Sequence, residues 1–411
     1  MNAAVAAGTT PLARKGSPVA RSGFPASPGE ILALVRSGRV KTRRDLQELT
    51  GLSRSTVALR LSQLISAGYI RAVEQRRGTA GRPAEVLSFE ESDKLVLAAD
   101  LGATHARFAL TDAGGRMLGE RTEDLLIGQD PDVVLKIVIR RLRDLLKNAG
   151  RDGARLAGVG VGLPAPVDFR TGRPVQPPIM PGWHGVEVAR TLSDALGCPA
   201  FVDNDANLLG LGEVRERYPG VDNLLFVKVG TGIGAGVVLG GRPERGATGQ
   251  GGDIGHIRIA RPVDGARCRC GATGCLAAHA SGAALARQLT ERGIEARTSR
   301  DVVRLVGEGD STAITLVRDA GRLLGEVLAT AVALLNPTVV VIGGDLALTR
   351  EHLLVGVRER LYERTVSALT SSLAVVESQL GDRAGVHGAR HLVIDQVFSA
   401  EAVDARLVPE V

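Results

Sequence analysis

The 411-residue sequence predicts a mixed α/β protein with a small helical head at its N-terminus. Three observations lead to this fold class. From about residue 95 onward, apolar strands ending in glycine-rich turns alternate with helical stretches. Residues 27–90 differ, because three short helical patterns are followed there by two apolar stretches. The composition, 44% hydrophobic and 23% charged residues, is that of a globular protein and excludes a disordered chain or a coiled-coil rod.

The N-terminal segment, residues 1–26, mixes Ala, Gly, Thr, Pro and Ser without periodicity and is predicted to be a disordered arm. It has no continuous apolar core of the signal-peptide type, so we expect a cytoplasmic protein. The longest apolar run, residues 327–335, is far shorter than the roughly 20 residues that a membrane helix needs. We therefore expect no membrane association. Four cysteines in a reducing compartment argue against disulfides.

The head, residues 27–90, is predicted to be a winged helix-turn-helix domain. Its first helix begins near Pro28 and ends near Gly38. Thr42 followed by Asp45 has the spacing of a capping box and begins a short second helix. Ser53 caps a third helix, in which apolar positions recur at helical spacing, at Val57, Leu61, Leu64 and Ile65. Two apolar stretches, residues 69–73 and 85–89, flank a basic glycine-rich tip and form the wing.

The third helix has the outward face that a helix in the DNA major groove requires, with polar side chains flanked by cations. We expect this face to contact DNA through Arg54, Ser55, Thr56, Leu59, Arg60 and Gln63. At the wing tip, Arg76, Arg77 and Arg82 are expected to reach phosphates or a minor groove. A helical protein–protein module with an Arg-rich face is the alternative.

The charge distribution agrees with a nucleic-acid partner. The chain has a net charge of +6, but residues 1–89 alone hold 14 lysines and arginines against five acids, and the remainder is therefore −3. A basic end attached to a mildly acidic body is expected when that end meets a polyanion. A solvated surface that is merely rich in arginine is the other interpretation.

The body contains glycine-rich turns at strand ends. Glycines let backbone amides approach phosphate oxygens, and nearby Asp and Thr side chains can orient a metal ion or water. The candidate nucleotide-binding residues are Asp100, Gly102, Thr104, Gly230, Thr231, Gly232, Gly234, Gly343 and Gly344. Tight hairpins also collect glycine, so each motif alone is weak. Because residues 96–112 and 224–240 are similar hairpin-like units, we predict two duplicated lobes around a cleft. Helices are predicted between the strands, over residues 133–146, 283–291, 313–335 and 352–361.

A polar cluster follows the apolar stretch at Phe201 and Val202. An Asp at such a strand end can accept the proton of a sugar hydroxyl that attacks a phosphoryl group. From the residues alone, an Asx-rich turn is the preferred interpretation of this cluster.

The sharpest motif joins His256 to Cys268, Cys270 and Cys275 with the spacing H-x11-C-x-C-x4-C. One imidazole and three thiolates form a closed tetrahedral ligand set suited to structural zinc. Free buried cysteines or a labile disulfide are the alternatives. Cys198 lies far away in the sequence and is expected to be a core thiol.

Together these motifs resemble the ROK family of repressors, open reading frames and sugar kinases, over roughly residues 95–380, and the winged head resembles its xylose-repressor branch. The resemblance implies a two-lobed, actin-like ATPase fold over residues 94–400, usually dimeric or higher. It implies that Asp205 matches the catalytic Asp and that Asn204 contacts sugar. It also implies that Asp253 and His256 belong to a sugar and zinc motif, which reads Gly252-Asp253-Ile254-Gly255-His256.

The chain departs from the kinase pattern of this family at several positions. The pattern D-x-G-G-T-K reads Asp100-Leu101-Gly102-Ala103-Thr104-His105, so its second glycine and its cation are missing. Asp253 replaces a Glu, and Ala277 replaces another Glu that accepts a sugar hydroxyl. A sugar-contact Asn is absent before Pro181. These departures argue against efficient phosphoryl transfer.

Three functional hypotheses follow. The favoured one is a transcriptional regulator, a repressor that binds a double-stranded DNA operator as a homodimer or higher homo-oligomer and is released by a sugar or sugar derivative. The second is an ATP-dependent, glucokinase-like sugar kinase with an accessory DNA-binding head, with Asp205 as base and Mg-ATP as donor. The third is a DNA binder whose body serves only for oligomerisation.

Overall fold

The computed structural model describes residues 27–75, 84–90, 93–151, 153–259 and 266–407. The arm predicted over residues 1–26 lies outside these residues, as do Arg76, Arg77 and Arg82 at the wing tip. No helix in the described part of the chain is long and apolar enough to cross a membrane.

The head consists of three helices and a two-stranded antiparallel wing. Its elements are α1 (Pro28–Arg36), α2 (Arg43–Thr50), α3 (Arg54–Ser66), β1 (Ile70–Gln75) and β2 (Ala84–Phe89). The predicted caps are present. Thr42 and Asp45 form a reciprocal capping box on α2, and the Ser53 hydroxyl accepts a hydrogen bond from the Thr56 amide at the start of α3. These local interactions explain why the head was predictable from its sequence.

The first lobe is built on a five-stranded sheet of order β5-β4-β3-β6-β9. Its elements are β3 (Leu95–Leu101), β4 (His105–Asp112), β5 (Met117–Asp124), α4 (Pro131–Asn148), β6 (Leu156–Leu163), β7 (Val167–Asp168), β8 (Arg173–Pro174), α5 (Val188–Leu196) and β9 (Ala200–Asn204). The first three strands pair antiparallel, and β6 and β9 pair parallel. Helix α6 (Asp205–Glu216) follows β9 without a loop and leads to the second lobe.

The second lobe repeats this strand order as β12-β11-β10-β13-β14. Its elements are β10 (Leu224–Val229), β11 (Ile233–Leu239), β12 (Arg242–Glu244), α7 (Leu276–Ala280), α8 (Gly282–Glu291), α9 (Ser299–Gly307), α10 (Ser311–Leu335), β13 (Val339–Gly343), α11 (Glu351–Arg364), α12 (Ser367–Thr370) and β14 (Ala374–Glu377). Three short 3-10 helices cover Ile254–His256, Asp345–Thr349 and Gly381–Arg383. The predicted α/β class, the two similar hairpins and the four predicted helices are confirmed.

Helix α13 (Ala384–Val397) was not predicted, and it lies at the centre of the molecule. A Cβ at Gly160 of β6 would lie 2.3 Å from the Ala389 carbonyl oxygen, and one at Gly388 would lie 1.8 Å from that of Leu208 on α6. Close backbone approach therefore requires glycine at both positions. The C-terminal part of α13 continues into α14 (Ala400–Leu407), and both helices pack against the head.

Candidate functional site

The outward face of α3 carries the residues predicted to read DNA. Val57, Leu61 and Leu64 are buried, whereas Leu59 is 60% exposed. Arg54 and Ser55 are also exposed, and Thr56, Arg60 and Gln63 are half-buried. The buried side of α3 is therefore apolar and its outward side largely polar, as a recognition helix requires.

Arg60 and Gln63 are half-buried, and two of their polar atoms, Nε of Arg60 and Oε1 of Gln63, are buried without a hydrogen-bond partner among the described residues. The hydroxyls of Ser55 and Thr56 each lie 2.8 Å from the Ser53 hydroxyl. The cap of α3 thus orders the side chains of Ser55 and Thr56.

The head is docked on the body through polar and aromatic contacts. The Arg36 guanidinium donates to the Phe398 carbonyl at 2.9 Å and to the Asp395 carboxylate at 3.2 Å. The Gly29 amide donates to Asp404 at 2.7 Å, and the Phe398 ring meets that of Phe89 edge-on, with 5.0 Å between centroids. The position of the head is consequently defined by α13 and α14.

The two predicted phosphate loops face one cleft between the lobes. The first connects β3 to β4 and the second connects β10 to β11. Of the predicted nucleotide-binding residues, the cleft lining includes Asp100, Gly102, Gly230, Thr231, Gly232, Gly234 and Gly344. Thr104 and Gly343 are not part of this lining, and a Cβ at Gly343 would lie 2.4 Å from the Phe226 ring. Both loops are also hairpin turns, closed by bonds from the Gly102 amide to His105 and from the Gly230 amide to Gly232.

The Asp100 carboxylate at the end of β3 is crowded by α13. A Cβ at Gly385 would lie 2.1 Å from its Oδ2. Burial raises the pKa of Asp100 to about 6, against the opposing attraction of Lys228. Burial, assisted by Lys228, lowers the pKa of His105, so this side chain is neutral at physiological pH. The first loop therefore presents a neutral imidazole where the family pattern has a lysine.

Asp205 begins α6 and is almost completely buried, with 4% of its surface exposed. Its Oδ1 accepts a hydrogen bond from the Ala206 amide at 2.7 Å, and its Oδ2 accepts one from the Lys228 ammonium. Asn204 caps the helix by accepting from the Ala206 and Asn207 amides, and donates to the Ala165 carbonyl at 3.0 Å. Asn204 and Asp205 therefore form the expected Asx-rich turn and also line the cleft.

The opposite cleft wall contains Asp253 and His256, with 3.9 Å between Oδ1 and Nε2. Ala277, at the position of the family glutamate, also lines the cleft, and so does Ile179 in the segment that lacks the family asparagine. The cleft therefore has apolar surface at Ala277, where the family has a glutamate, and at Ile179 in the segment without the family asparagine.

The four zinc-motif residues come together beside this wall. Their ligand atoms lie within 4.8 Å of one another. Sγ of Cys268 lies 3.4 Å from Nδ1 of His256, and Sγ of Cys270 lies 3.8 Å from Sγ of Cys275. Two sulfurs bound tetrahedrally to one zinc at about 2.3 Å are separated by roughly 3.8 Å. The ligand set fits a four-coordinate metal ion, and none of the four cysteines forms a disulfide.

Sequence reasoning missed several charged residues of the cleft, among them Arg107, Lys228 and Asp345. Lys228 gave a signal, because it is the one charged residue in the apolar strand β10. Arg107 and Asp345 gave none, since charged residues in an alternating strand or after a glycine pair are common on surfaces.

The fold and the sites define a class of protein: a winged helix-turn-helix head on a two-lobed α/β body with a ligand cleft and a cysteine–histidine cluster. The winged helix-turn-helix DNA-binding model matches residues 29–71, and the ROK family model matches residues 96–396. The chain belongs to the ROK family.

Relatives with the same two-part organisation include a putative xylose repressor of Caldicellulosiruptor sp. (strain Rt8B.4), 30% identical over 90% of this chain and 95% of the relative. Among solved structures, a ROK family transcriptional regulator, a homologue of the E. coli MLC protein, superimposes with a TM-score of 0.79 at 27% identity, over 93% of this chain and 98% of the other. A Thermotoga maritima glucokinase is 31% identical, but it covers 74% of this chain and 98% of its own length. The repressor branch therefore accounts for the head as well as the body.

Proposed function

We propose that this protein is a sugar-responsive transcriptional repressor. The head reads a double-stranded operator, and the cleft binds a sugar or sugar-derivative effector. The observation that carries the proposal is the placement of α13, which touches Asp100 in the cleft through Gly385 and the head through Asp395. A ligand that changes the arrangement of the lobes acts on the same helix that holds the DNA-binding domain.

The mechanism is a linkage between two sites. The effector binds one arrangement of the lobes more tightly than the other, and that arrangement places the heads at a spacing unsuited to the operator. Paired heads follow from a homodimer or higher homo-oligomer, since two-fold operators are read by symmetric proteins. Because its target is chromosomal DNA, the protein works in the cytoplasm.

We expect the hydroxyl groups of the effector to donate hydrogen bonds to side chains of the cleft. Asp205 and Asp253 contribute carboxylates to the two walls of the cleft, and His256 lies beside Asp253. Ala277 and Ile179 provide apolar contact instead of hydroxyl acceptors. We therefore expect an effector with fewer recognised hydroxyls, or with apolar substituents, on that side.

The cysteine–histidine cluster is proposed to hold structural zinc through His256, Cys268, Cys270 and Cys275. A closed set of four nitrogen and sulfur ligands leaves no open position for chemistry. The ion would cross-link the segment before α7 to the cleft wall and keep His256 in place.

A second candidate function is sugar phosphorylation with Mg-ATP. It is favoured by the position of Asp205 at the head of α6 in a cleft with two glycine-rich loops. The altered first loop and Ala277 count against it.

One experiment separates the two candidates. Genome-wide footprinting first identifies the operator. The purified protein is then assayed over a sugar panel for operator release and, in parallel, for ATP-dependent sugar phosphorylation, with Asp205→Asn as the comparison. We expect one sugar class to release DNA without turnover of ATP. Robust phosphorylation of any sugar by the wild type, abolished in Asp205→Asn, would establish the kinase instead.

A further inference from the structure

Lys228 is a cation built into the centre of the cleft. It is the penultimate residue of β10, and its cross-strand neighbours are Gly234 on β11 and Gly343 on β13. The lysine side chain is 22% exposed. The ammonium reaches Asp205 on α6 and donates a hydrogen bond to its carboxylate.

Three carboxylates from different parts of the fold interact with this ammonium. Asp205 contacts it directly, and Asp100 from β3 and Asp345 after β13 interact with it electrostatically. Burial disfavours the charged form, but these carboxylates outweigh burial and raise the pKa of Lys228. The side chain is therefore an ammonium ion at any physiological pH.

Carboxylates that converge at a phosphate-binding cleft ordinarily hold a divalent cation for phosphoryl transfer. Here the central positive charge belongs to the chain itself. The first loop has lost a positive charge, because the neutral His105 stands where the family pattern has a lysine. The His105 ring covers that loop, since a Cβ at Gly102 would lie 2.8 Å from its Cε1. These residues do not fit a magnesium-bound nucleotide.

We propose that Lys228 is the permanent counter-ion of Asp205. The lysine takes the place of a divalent cation and prevents Asp205 from acting as a base, so that the cleft senses its ligand without magnesium or nucleotide. Both Asp205 oxygens already accept a hydrogen bond, one from the Ala206 amide and one from Lys228. Each retains a further lone pair for a sugar hydroxyl. Binding of that hydroxyl is preserved, whereas removal of its proton is opposed by the ammonium.

The proposal deepens the repressor function, and its test uses two readouts that can fail separately. The first is Mn²⁺ binding to the full-length, nucleotide-free protein, followed by electron paramagnetic resonance. We compare the wild type with Lys228→Met, with Lys228→Met/Asp205→Asn, and with Lys136→Met, which removes an exposed lysine on α4. Lys228→Met should gain one Mn²⁺ site at least tenfold tighter than any site in the wild type. The double variant should lose that site, and Lys136→Met should match the wild type.

An equally tight Mn²⁺ site in the wild type that disappears in Asp205→Asn would overturn the proposal. The wild-type titration decides this point even if Lys228→Met fails to fold, which circular dichroism would reveal.

The second readout is operator release by the active sugar, measured with and without Mg²⁺ and ATP. Equal release in both conditions is expected, and release that requires Mg²⁺ and ATP contradicts the proposal. If no sugar releases DNA, the repressor function fails, while the Mn²⁺ comparison still decides the role of Lys228.

Discussion

At the level of single residues, Arg54 and Leu59 are exposed side chains of α3 that we expect to contact DNA. Leu59 is a large apolar side chain left 60% exposed, as expected for contact with a thymine methyl group. Arg54 lies one residue after the Ser53 cap, at the helix N-terminus, where its charge can meet a phosphate.

Arg54→Ala is expected to weaken operator binding. If the lost contact is to a phosphate, the slope of log K against log salt concentration should become shallower by about 0.9. Fluorescence anisotropy over a salt series measures both quantities. Arg155→Ala, which removes an exposed arginine of the body, serves as the control and should leave them unchanged. Unchanged affinity and slope in Arg54→Ala would exclude this residue as a DNA contact.

A cluster of titratable side chains lies where α6 meets α13. The Glu216 carboxylate accepts hydrogen bonds from Arg390 and, at 2.8 Å, from His391. The hydrogen bond from His391, aided by the nearby cations, lowers the pKa of Glu216 to about 2, although burial opposes the shift. Burial lowers the pKa of His391 to about 4. Both groups therefore bind protons less readily in the folded protein than in the unfolded chain.

The free energy of unfolding should consequently fall on acidification. The contribution of His391 is lost as the pH decreases from about 6.5 to 4, and that of Glu216 from about 4.5 to 2. One proton changes the slope by at most about 1.4 kcal/mol per pH unit. Urea denaturation at several pH values should show a flatter profile between pH 6.5 and 4 for His391→Gln. His352→Gln, an exposed histidine on α11, should keep the wild-type slope. Equal slopes in all three proteins would refute this assignment.

At the level of elements, α6 and α13 connect the cleft to the head. Helix α6 begins at Asp205 in the cleft and runs roughly 18 Å, at about 1.5 Å per residue, to its last turn. There Arg215 donates to Asp395 at 3.1 Å, and the other oxygen of Asp395 accepts from Arg36 of the head. If the proposed effector displaces α6 in the cleft, we expect the movement to reach Asp395 and, through it, Arg36 of the head.

Asp395→Asn should loosen the head without disturbing the cleft. The partly exposed ion pair between Asp395 and Arg36 of the head is weakened, which we expect to destabilise head docking by about 1 kcal/mol. Hydrogen exchange of α1 should become faster by about fivefold, while exchange in β10 stays constant. Asp144→Asn, which removes an exposed ion pair with Arg141 on α4, is the matched control. Unaltered exchange in α1 would show that Asp395 does not hold the head.

We expect the stability of the cysteine–histidine segment to depend on a bound metal ion. We expect one zinc per chain by elemental analysis, and Cys270→Ser should contain less metal and melt at a lower temperature, because metal binding contributes directly to folding. Cys198→Ala, outside the cluster, should keep its zinc. Removal of zinc with a chelator should lower the melting temperature of the wild type in the same way. Protein without stoichiometric zinc but with full thermal stability would refute the assignment.

At the level of the whole molecule, the two lobes, α13 and the head form one connected system. The lobes share a core through Ala98, Leu208, Phe226 and Ala389, and the head shares another with Val393 and Val397 of α13. Two sites on such a framework influence each other through the arrangement that both favour.

Reciprocity gives a quantitative prediction for this coupling. If a sugar weakens operator binding by some factor, operator DNA must weaken sugar binding by the same factor. Calorimetric titration of the sugar with and without operator measures the second factor, and anisotropy measures the first. A matched pair of factors is expected, typically 5- to 150-fold. Sugar affinity that is independent of bound operator would rule out the proposed mechanism, even if the sugar reduced transcription by another route.

Much of the architecture was predictable because its signals are local. Thr42 and Asp45 cap α2 through neighbouring backbone groups, and the glycine-rich turns form wherever two adjacent strands pair. The cysteine spacing also predicts its cluster, since Cys268, Cys270 and Cys275 lie within eight residues of chain. The glycines of α13 weaken its helical pattern, so this element escaped prediction although it is central.

The sequence alone therefore determined the class of fold, the head with its recognition helix, the two similar lobes and the four candidate metal ligands. Only the tertiary structure decided that Lys228 neutralises Asp205, that His105 covers the first loop, and that Asp395 joins Arg36 to Arg215. Each of these depends on side chains brought together from distant parts of the chain. Capping and periodicity act over a few residues, whereas the strength of a buried charge pair depends on the packing that surrounds it.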